Sequence, residues 1–142
     1  MKIYFQKIDP SAKLPSYAYE GDAGMDLFSC EDLEIAPHSK ALISTGLKVA
    51  VPKGHGGFVW DKSGIAVKNH IKTMAGVIDS NYRGELKVAL TNLGSESYKI
   101  KKGEKIAQFI IKPVVNPEVV EIEVLPENET RGEKGFGSSG FI

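Results

Sequence analysis

The feature that most limits what this chain can fold into is its rhythm. Apolar residues recur at every second position in short runs, glycine and proline fall between the runs, and no long stretch repeats every 3.6 residues. Strands, not helices, must therefore bury the apolar side chains. The runs cover residues 2–8, 33–36, 47–51, 57–60, 85–91, 97–100, 105–112 and 119–125. Within them Leu47, Val49 and Val51 share one side, as do Leu86, Val88 and Leu90. Many short strands with such turns predict an all-β fold: a sandwich, jelly roll or barrel. One short helix is expected over residues 63–69, with Ser63 capping the turn that Gly64 opens.

A length of 142 residues is that of one domain and is enough to bury a self-sufficient core. With 42% hydrophobic and 25% charged residues the chain has the composition of a globular protein rather than a disordered one. Its formal net charge is zero and its pI about 6.8, which argues against a general nucleic-acid or anionic-membrane binder. A small or neutral partner is expected instead. The single cysteine, Cys30, cannot form an intrachain disulfide, and the first residues lack the apolar region of a signal peptide, so the expected location is cytoplasmic. The most apolar segment, 106–115, is interrupted by Gln108 and Lys112 and cannot span a bilayer.

After residue 125 the pattern stops. Residues 126–142 are polar and rich in glycine, and the expectation is a β domain over 1–125 followed by a mobile C-terminal arm. The arm nevertheless carries Arg131 and Phe136, for which a merely solvating tail has no use. Among 18 basic residues only Arg83 and Arg131 are arginines, and both stand beside glycine. A planar, bidentate guanidinium suits phosphate better than an ammonium does, and Arg131 is the stronger candidate.

Four further segments could carry chemistry. In 76–85 an acid, an aromatic and a base (Asp79, Tyr82, Arg83) surround what reads as a hairpin turn leading into the Leu86 strand. The turn alone explains Asp79 as well as a general base does. Ala23 and Gly24 allow close backbone approach next to Asp26, a loop carboxylate that could face a cation; Mg²⁺ needs few protein oxygens when phosphates supply the rest. Lys62, Ser63 and Gly64 offer an ammonium, a hydroxyl and backbone N–H groups at a helix start, which is either a cap or a phosphate site. Gln108 sits in an otherwise apolar strand and needs a partner if buried. Residues 135–140 match G-x-G-x-x-G, but no strand feeds the match and no helix can follow it, so a dinucleotide fold is excluded. His38, His55 and His70 are too scattered for a metal cluster.

Taken in order, AGMDL, DKSGIA, GVIDSNYRGEL, KKGEKIAQ and RGEKGFGSSG closely resemble the five motifs of the trimeric dUTPases, across nearly the whole chain. The resemblance implies a jelly-roll β-barrel and a homotrimer with active sites at subunit interfaces. It also implies Mg²⁺-assisted hydrolysis of dUTP to dUMP and pyrophosphate. Asp79 then corresponds to the general base that activates water, and Tyr82 to the ring that packs on deoxyribose. Asp26 corresponds to the acid that supports Mg²⁺ through its water shell, and Lys62, Ser63, Gly64 and Gln108 to phosphate contacts. Gly76, Val77 and Ile78 would read uracil through their backbone. In the arm, Phe136 would stack on uracil while Arg131, Gly137, Ser138 and Ser139 close over the outer phosphates of a neighbouring subunit's site.

Three departures from the family pattern stand out: Asp61-Lys62 where Pro-Arg is usual, Lys105 where arginine is common, and Lys134 where glycine is common. Lysine keeps the charge and loses the fork, and an Asp61 paired with Lys62 would blunt that phosphate contact. Competing readings are a dCTP deaminase or bifunctional relative, which the third motif argues against, and a nucleotide-binding protein that has lost turnover.

Overall fold

The alternating runs pair into antiparallel ladders, and the computed structural model describes residues 1–126, 132, 133 and 135. In chain order the strands are β1 (Tyr4–Lys7), β2 (Met25–Phe28), β3 (Leu33–Ile35), β4 (Lys40–Ala50) and β5 (His55–Asp61). Helix α1 (Ser63–Asn69) follows, then β6 (Ile71–Met74), β7 (Val77–Ile78), β8 (Glu85–Asn92), β9 (Tyr98–Ile100) and β10 (Lys105–Pro113). One four-stranded sheet has the order β1-β4-β8-β6 and the other β2-β10-β5-β7, with β3 and β9 as a separate pair. Side chains from all three form a single buried cluster, with Ile43, Leu86, Val88 and Leu90 from the first sheet, Leu27, Ile106 and Phe109 from the second, and Ile35 and Ile100 from the pair. This is the layered all-β architecture that the rhythm predicts, in the jelly-roll form that the resemblance implies. Each fully buried Leu, Ile or Phe contributes roughly 1.5–3 kcal/mol. Phe109 is completely enclosed, its ring edge-on to Phe5 at 6.4 Å and filling the space above Gly57, where any Cβ would overlap it.

Strand β8 shows how the alternation works: Leu86, Val88, Leu90 and Asn92 point inward and their neighbours outward. Buried Asn92 is fully paired, donating to the carbonyls of Ile35 and Glu96 and accepting from Gly94 N–H at 2.9 Å. Strand β4 begins seven residues before the expected run at 47. Gly46 (φ +66°) looks like a stop but lies in a register shift of the β4–β8 ladder, held by the Glu85 carboxylate, which accepts from the Ser44 hydroxyl and the Gly46 N–H.

Three expectations need correction. Residues 119–125 do not form a strand: no strand of the described chain pairs with them, and Val119 and Val124 are 95% and 80% exposed. The turn after Ile78 is not a hairpin, because β7 pairs with β5 in one sheet while β8 pairs with β4 and β6 in the other. Ser63 does not cap α1; Lys62 occupies the cap position with no side-chain cap bond, and Ser63 opens the first turn. The helix itself spans the expected residues. No described helix is long and apolar enough to cross a membrane. Of the arm, Arg131, Lys134, Phe136, Gly137, Ser138 and Ser139 lie outside the described residues.

Candidate active site

Asp26 is not a loop residue. It lies in β2, opposite Gln108 of β10 in the ladder, and is only 2% exposed. Its N–H donates to the Ser16 carbonyl at 2.8 Å, which fixes the backbone under the carboxylate. Lys62 Nζ donates to Asp26 Oδ1 at 2.7 Å. Lys105 Nζ stands 2.7 Å from Oδ2, which is itself sealed from solvent, so each carboxylate oxygen has one ammonium beside it. Burial alone would raise the Asp26 carboxyl, but contact with Lys105 and Lys62 outweighs it and holds the group below its ordinary range. The same pairing with Asp26 raises Lys105.

The bulge in β10 brings Lys105 here. Lys105 faces Phe28 and Ala107 faces Leu27, so one extra residue is accommodated between them. Strict alternation would set Lys105 and Gln108 on opposite faces; the inserted residue places Lys105 across from Phe28, on the Asp26 face. Gly24 makes room for the neighbouring amide, since a Cβ there would come within 2.9 Å of Gln108 Oε1. Ser63 and Gly64 begin the helix next to Lys62 and are exposed, and a Cβ on Gly64 would meet nothing within the chain. The first, second and fourth motif segments thus converge on one cationic cluster.

Asp61 does not blunt Lys62. Its Oδ1 accepts from the Thr73 N–H at 2.7 Å and the Thr73 hydroxyl at 2.6 Å, and its Oδ2 pairs with Lys72 at 2.8 Å. The departure from the usual Pro-Arg therefore ties the end of β5 to β6 and leaves Lys62 to Asp26.

The third motif is built separately. Ala75 (φ +57°) and Gly76 (φ +117°) turn the chain from the first sheet to the second, and the Gly76 carbonyl accepts from the Val59 N–H at 2.8 Å. A Cβ on Gly76 would come 2.8 Å from the Val59 carbonyl, so this close approach needs glycine. Val77 and Ile78 then pair with Phe58 and Gly57, and β7 is the edge strand of its sheet. Asp79 is exposed at the start of the turn that the Tyr82 N–H closes onto its carbonyl at 3.1 Å. It borders a cleft of about 360 Å³ lined by Gly56, Phe58, Val77, Ser80 and Asn81 among others. The Tyr82 hydroxyl donates to the Glu85 carbonyl at 2.9 Å, and Arg83 bonds the carbonyls of Ser80 and Tyr82. A further cleft of about 270 Å³ beside Lys68, His70 and Tyr98 holds none of the motif residues. The Asp79 cleft does not include the lysine cluster.

Sequence reading did not single out Lys105 as a site residue, because its face depends on a bulge that no local pattern announces, nor Gly84, whose importance comes from the ring folded over it. Among the described residues there is no group of three or more His, Cys, Asp or Glu side chains able to hold a metal ion.

A two-layered β fold that concentrates ammonium groups and helix-start amides in one place, and presents a carboxylate beside a cleft in another, has the makings of a jelly-roll hydrolase that handles phosphates. The dUTPase family model matches residues 10–140. The chain belongs to the dUTPase family, a family of nucleotide-metabolising hydrolases. It is 46% identical to the deoxyuridine 5'-triphosphate nucleotidohydrolase of Clostridium novyi over 99% of both chains, and 44% identical to that of Wolinella succinogenes over 99% of this chain and 95% of the relative. Among solved structures, a dUTPase mutant from Staphylococcus bacteriophage 80alpha with dUpNHpp matches with a TM-score of 0.92 and 31% identity over 98% of both chains. A mutant dUTPase from phage phi11 of S. aureus, described as revealing the coordination of a structural Mg(II) ion, matches with a TM-score of 0.84 and 26% identity over 89% of this chain and all of that one.

Proposed function

We propose that the protein hydrolyses dUTP to dUMP and pyrophosphate, with Asp79 as the general base. The observation that carries this reading is the separation of an exposed acid beside a cleft from a cationic cluster able to take phosphates, each built from motifs in dUTPase order. A water oxygen attacks the α-phosphorus, its proton passes to Asp79, and the bridging oxygen leaves with pyrophosphate. Lys62, Ser63, Gly64 and Gln108 hold the phosphates, and Mg²⁺ travels on the triphosphate as part of the substrate. Uracil pairs with the open backbone edge of β7 at Gly76, Val77 and Ile78, since its imide edge offers the same donors and acceptors as a strand. Tyr82 covers the deoxyribose and leaves no room for a 2′-hydroxyl.

The Asp79 cleft and the lysine cluster lie in different places on one chain, which supports a homotrimer in which they meet across subunit interfaces. Residues 126–142 act as a glycine-rich arm, separate from the domain at 1–125, with Phe136 stacking on uracil and Arg131, Gly137, Ser138 and Ser139 enclosing the outer phosphates. A cytoplasmic location fits the single buried free thiol of Cys30. The curated relatives carry the dUTPase name, so the deaminase alternative is not favoured.

The test is pyrophosphate release by the purified chain offered dUTP, dCTP, dTTP and UTP in parallel. Release from dUTP alone, with dUMP as product, is expected. Deamination of dCTP, or silence on all four, refutes the proposal.

A further inference from the structure

We infer that Asp61 is a positioning residue for base recognition: acting through Thr73, its carboxylate mounts the crossover from β6 to β7 and so sets the strand edge that meets uracil. That uracil lies along β7 rests on the dUTPase reading above; the mount itself rests on the geometry.

The crossover is short. β6 is an edge strand of the first sheet and β7 an edge strand of the second, and only Ala75 and Gly76 separate them. β5 and β6 belong to different sheets, so the crossover is held to β5 by individual bonds at its two ends. After the turn, the Gly76 carbonyl accepts from the Val59 N–H at 2.8 Å. Before it, Asp61 Oδ1 accepts from the N–H and the hydroxyl of Thr73 at 2.7 and 2.6 Å, as the carbonyl of a further strand would accept from the edge of β6. Asp61 Oδ2 meanwhile pairs with Lys72 at 2.8 Å. A proline at residue 61, usual in the second motif, has no side-chain acceptor to offer.

Packing does not fix this corner. A cleft of about 290 Å³ opens among Val59, Trp60, Asp61, Lys72, Thr73 and Ala75, and Trp60, Lys72 and Ala75 are exposed. Where side chains do not interlock, the place of a strand end follows its hydrogen bonds. The carboxylate that makes them has a firm base, because Asp61 lies in the β5–β10 ladder opposite the fully buried Ala107. The next residue, Lys62, is held from the other side by Asp26. Loss of the Asp61 acceptor therefore frees the end of β6 and leaves Lys62 in place. β7 then keeps the Gly76 bond and its two ladder pairs with β5, too little to stop it pivoting.

The experiment measures kcat/KM of pyrophosphate release from dUTP and from dCTP, with enough enzyme to follow the slower nucleotide, in wild type, Asp61→Ala, Asp61→Asn and Thr73→Val, each well below its melting temperature. Asp61→Ala is expected to lower kcat/KM for dUTP by about fivefold or more and that for dCTP much less, so that the preference for dUTP narrows. Asp61→Asn, whose amide oxygen still accepts from both Thr73 donors, should keep most of the preference. A merely structural carboxylate would affect both nucleotides alike, so an equal loss, or none, in Asp61→Ala overturns the mount. So does an Asp61→Asn chain that discriminates as poorly as Asp61→Ala. Where Asp61→Ala does not fold, Thr73→Val decides, since it keeps the branched shape and the N–H of residue 73 and removes only the hydroxyl. A preference narrowed by about twofold or more supports the mount, and an unchanged one overturns it. A wild-type chain that does not prefer dUTP overturns the dUTPase reading itself, and the mount's role with it.

Discussion

Tyr82 folds back over Gly84 so closely that a Cβ on residue 84 would overlap its hydroxyl, the same hydroxyl that donates to the Glu85 carbonyl at 2.9 Å. The position of the ring is therefore set by the absence of a side chain two residues later. Because the ring is the far end of a side chain that can swing, a methyl group at Gly84 disturbs the ring and spares the fold.

Gly84→Ala is expected to lower kcat/KM for dUTP by about tenfold or more and to narrow the preference for dUTP over UTP. Thermal stability should change little. Steady-state kinetics on both nucleotides, with a melting curve as control, check this; kinetics equal to wild type would remove Tyr82 from sugar selection.

Asp79→Asn should bind dUpNHpp as wild type does and fail to turn over dUTP. The side chain is exposed and its carbonyl, not its carboxylate, closes the turn, so the substitution leaves the local structure in place. Calorimetry and a pyrophosphate assay separate the two effects, and an active variant would mean that another group takes the water's proton.

Phe136→Ala is expected to reduce kcat/KM by about tenfold, in line with a stacking contact of roughly 1–3 kcal/mol. Kinetics indistinguishable from wild type would show that the arm does not cover the base.

Asp61→Ala removes the acceptor for both Thr73 donors and the partner of Lys72, and should cost about 1–3 kcal/mol of stability in urea unfolding. The same clamp predicts an acid dependence. Burial opposes ionisation of Asp61, but bonds from Lys72 and Thr73 prevail and hold its carboxyl below the ordinary 3.8. The folded state therefore binds fewer protons than the unfolded one, and the stabilisation is complete above that value and disappears as pH falls through the lower folded one. Stability should be level from neutral pH to about pH 5 and drop below about pH 4, less steeply in Asp61→Asn. An equally steep drop in that variant would assign the acid sensitivity to other carboxylates, such as Asp26 and Glu85, which are lowered too.

Where alternation and burial coincide the sequence was readable: β8 and β10 lie within a residue or so of the expected runs, and α1 spans 63–69 as anticipated. Strand β2 escaped notice because three of its four residues are buried and no alternation shows, and β7 because two residues cannot display a period; β6 was likewise not among the expected runs, although β1, β3 and β9, which are no longer than it, were. Residues 119–125 have the composition of a strand and lack the neighbour that makes one. At the candidate site, the acids, lysines and glycines were visible as residue types in motif order. Their partners were not. Whether Asp61 would meet Lys62 or Thr73, and which face Lys105 would take, is decided by ladder register and by contacts between distant segments.

The bulge before Ala107 also bears on how length variation in this chain should be read. A lost codon at residue 106 would restore even pairing along β10 with Lys105 still opposite Phe28, while Gln108 and everything after it kept their places. Such a gene product would carry the lysines and acids of all five motifs in its translated text and keep the ammonium of Lys105 on the same face of the sheet. It would nonetheless lose the buried side chain of Ile106 from the core, so an alignment that treats a gap there as neutral would misjudge it.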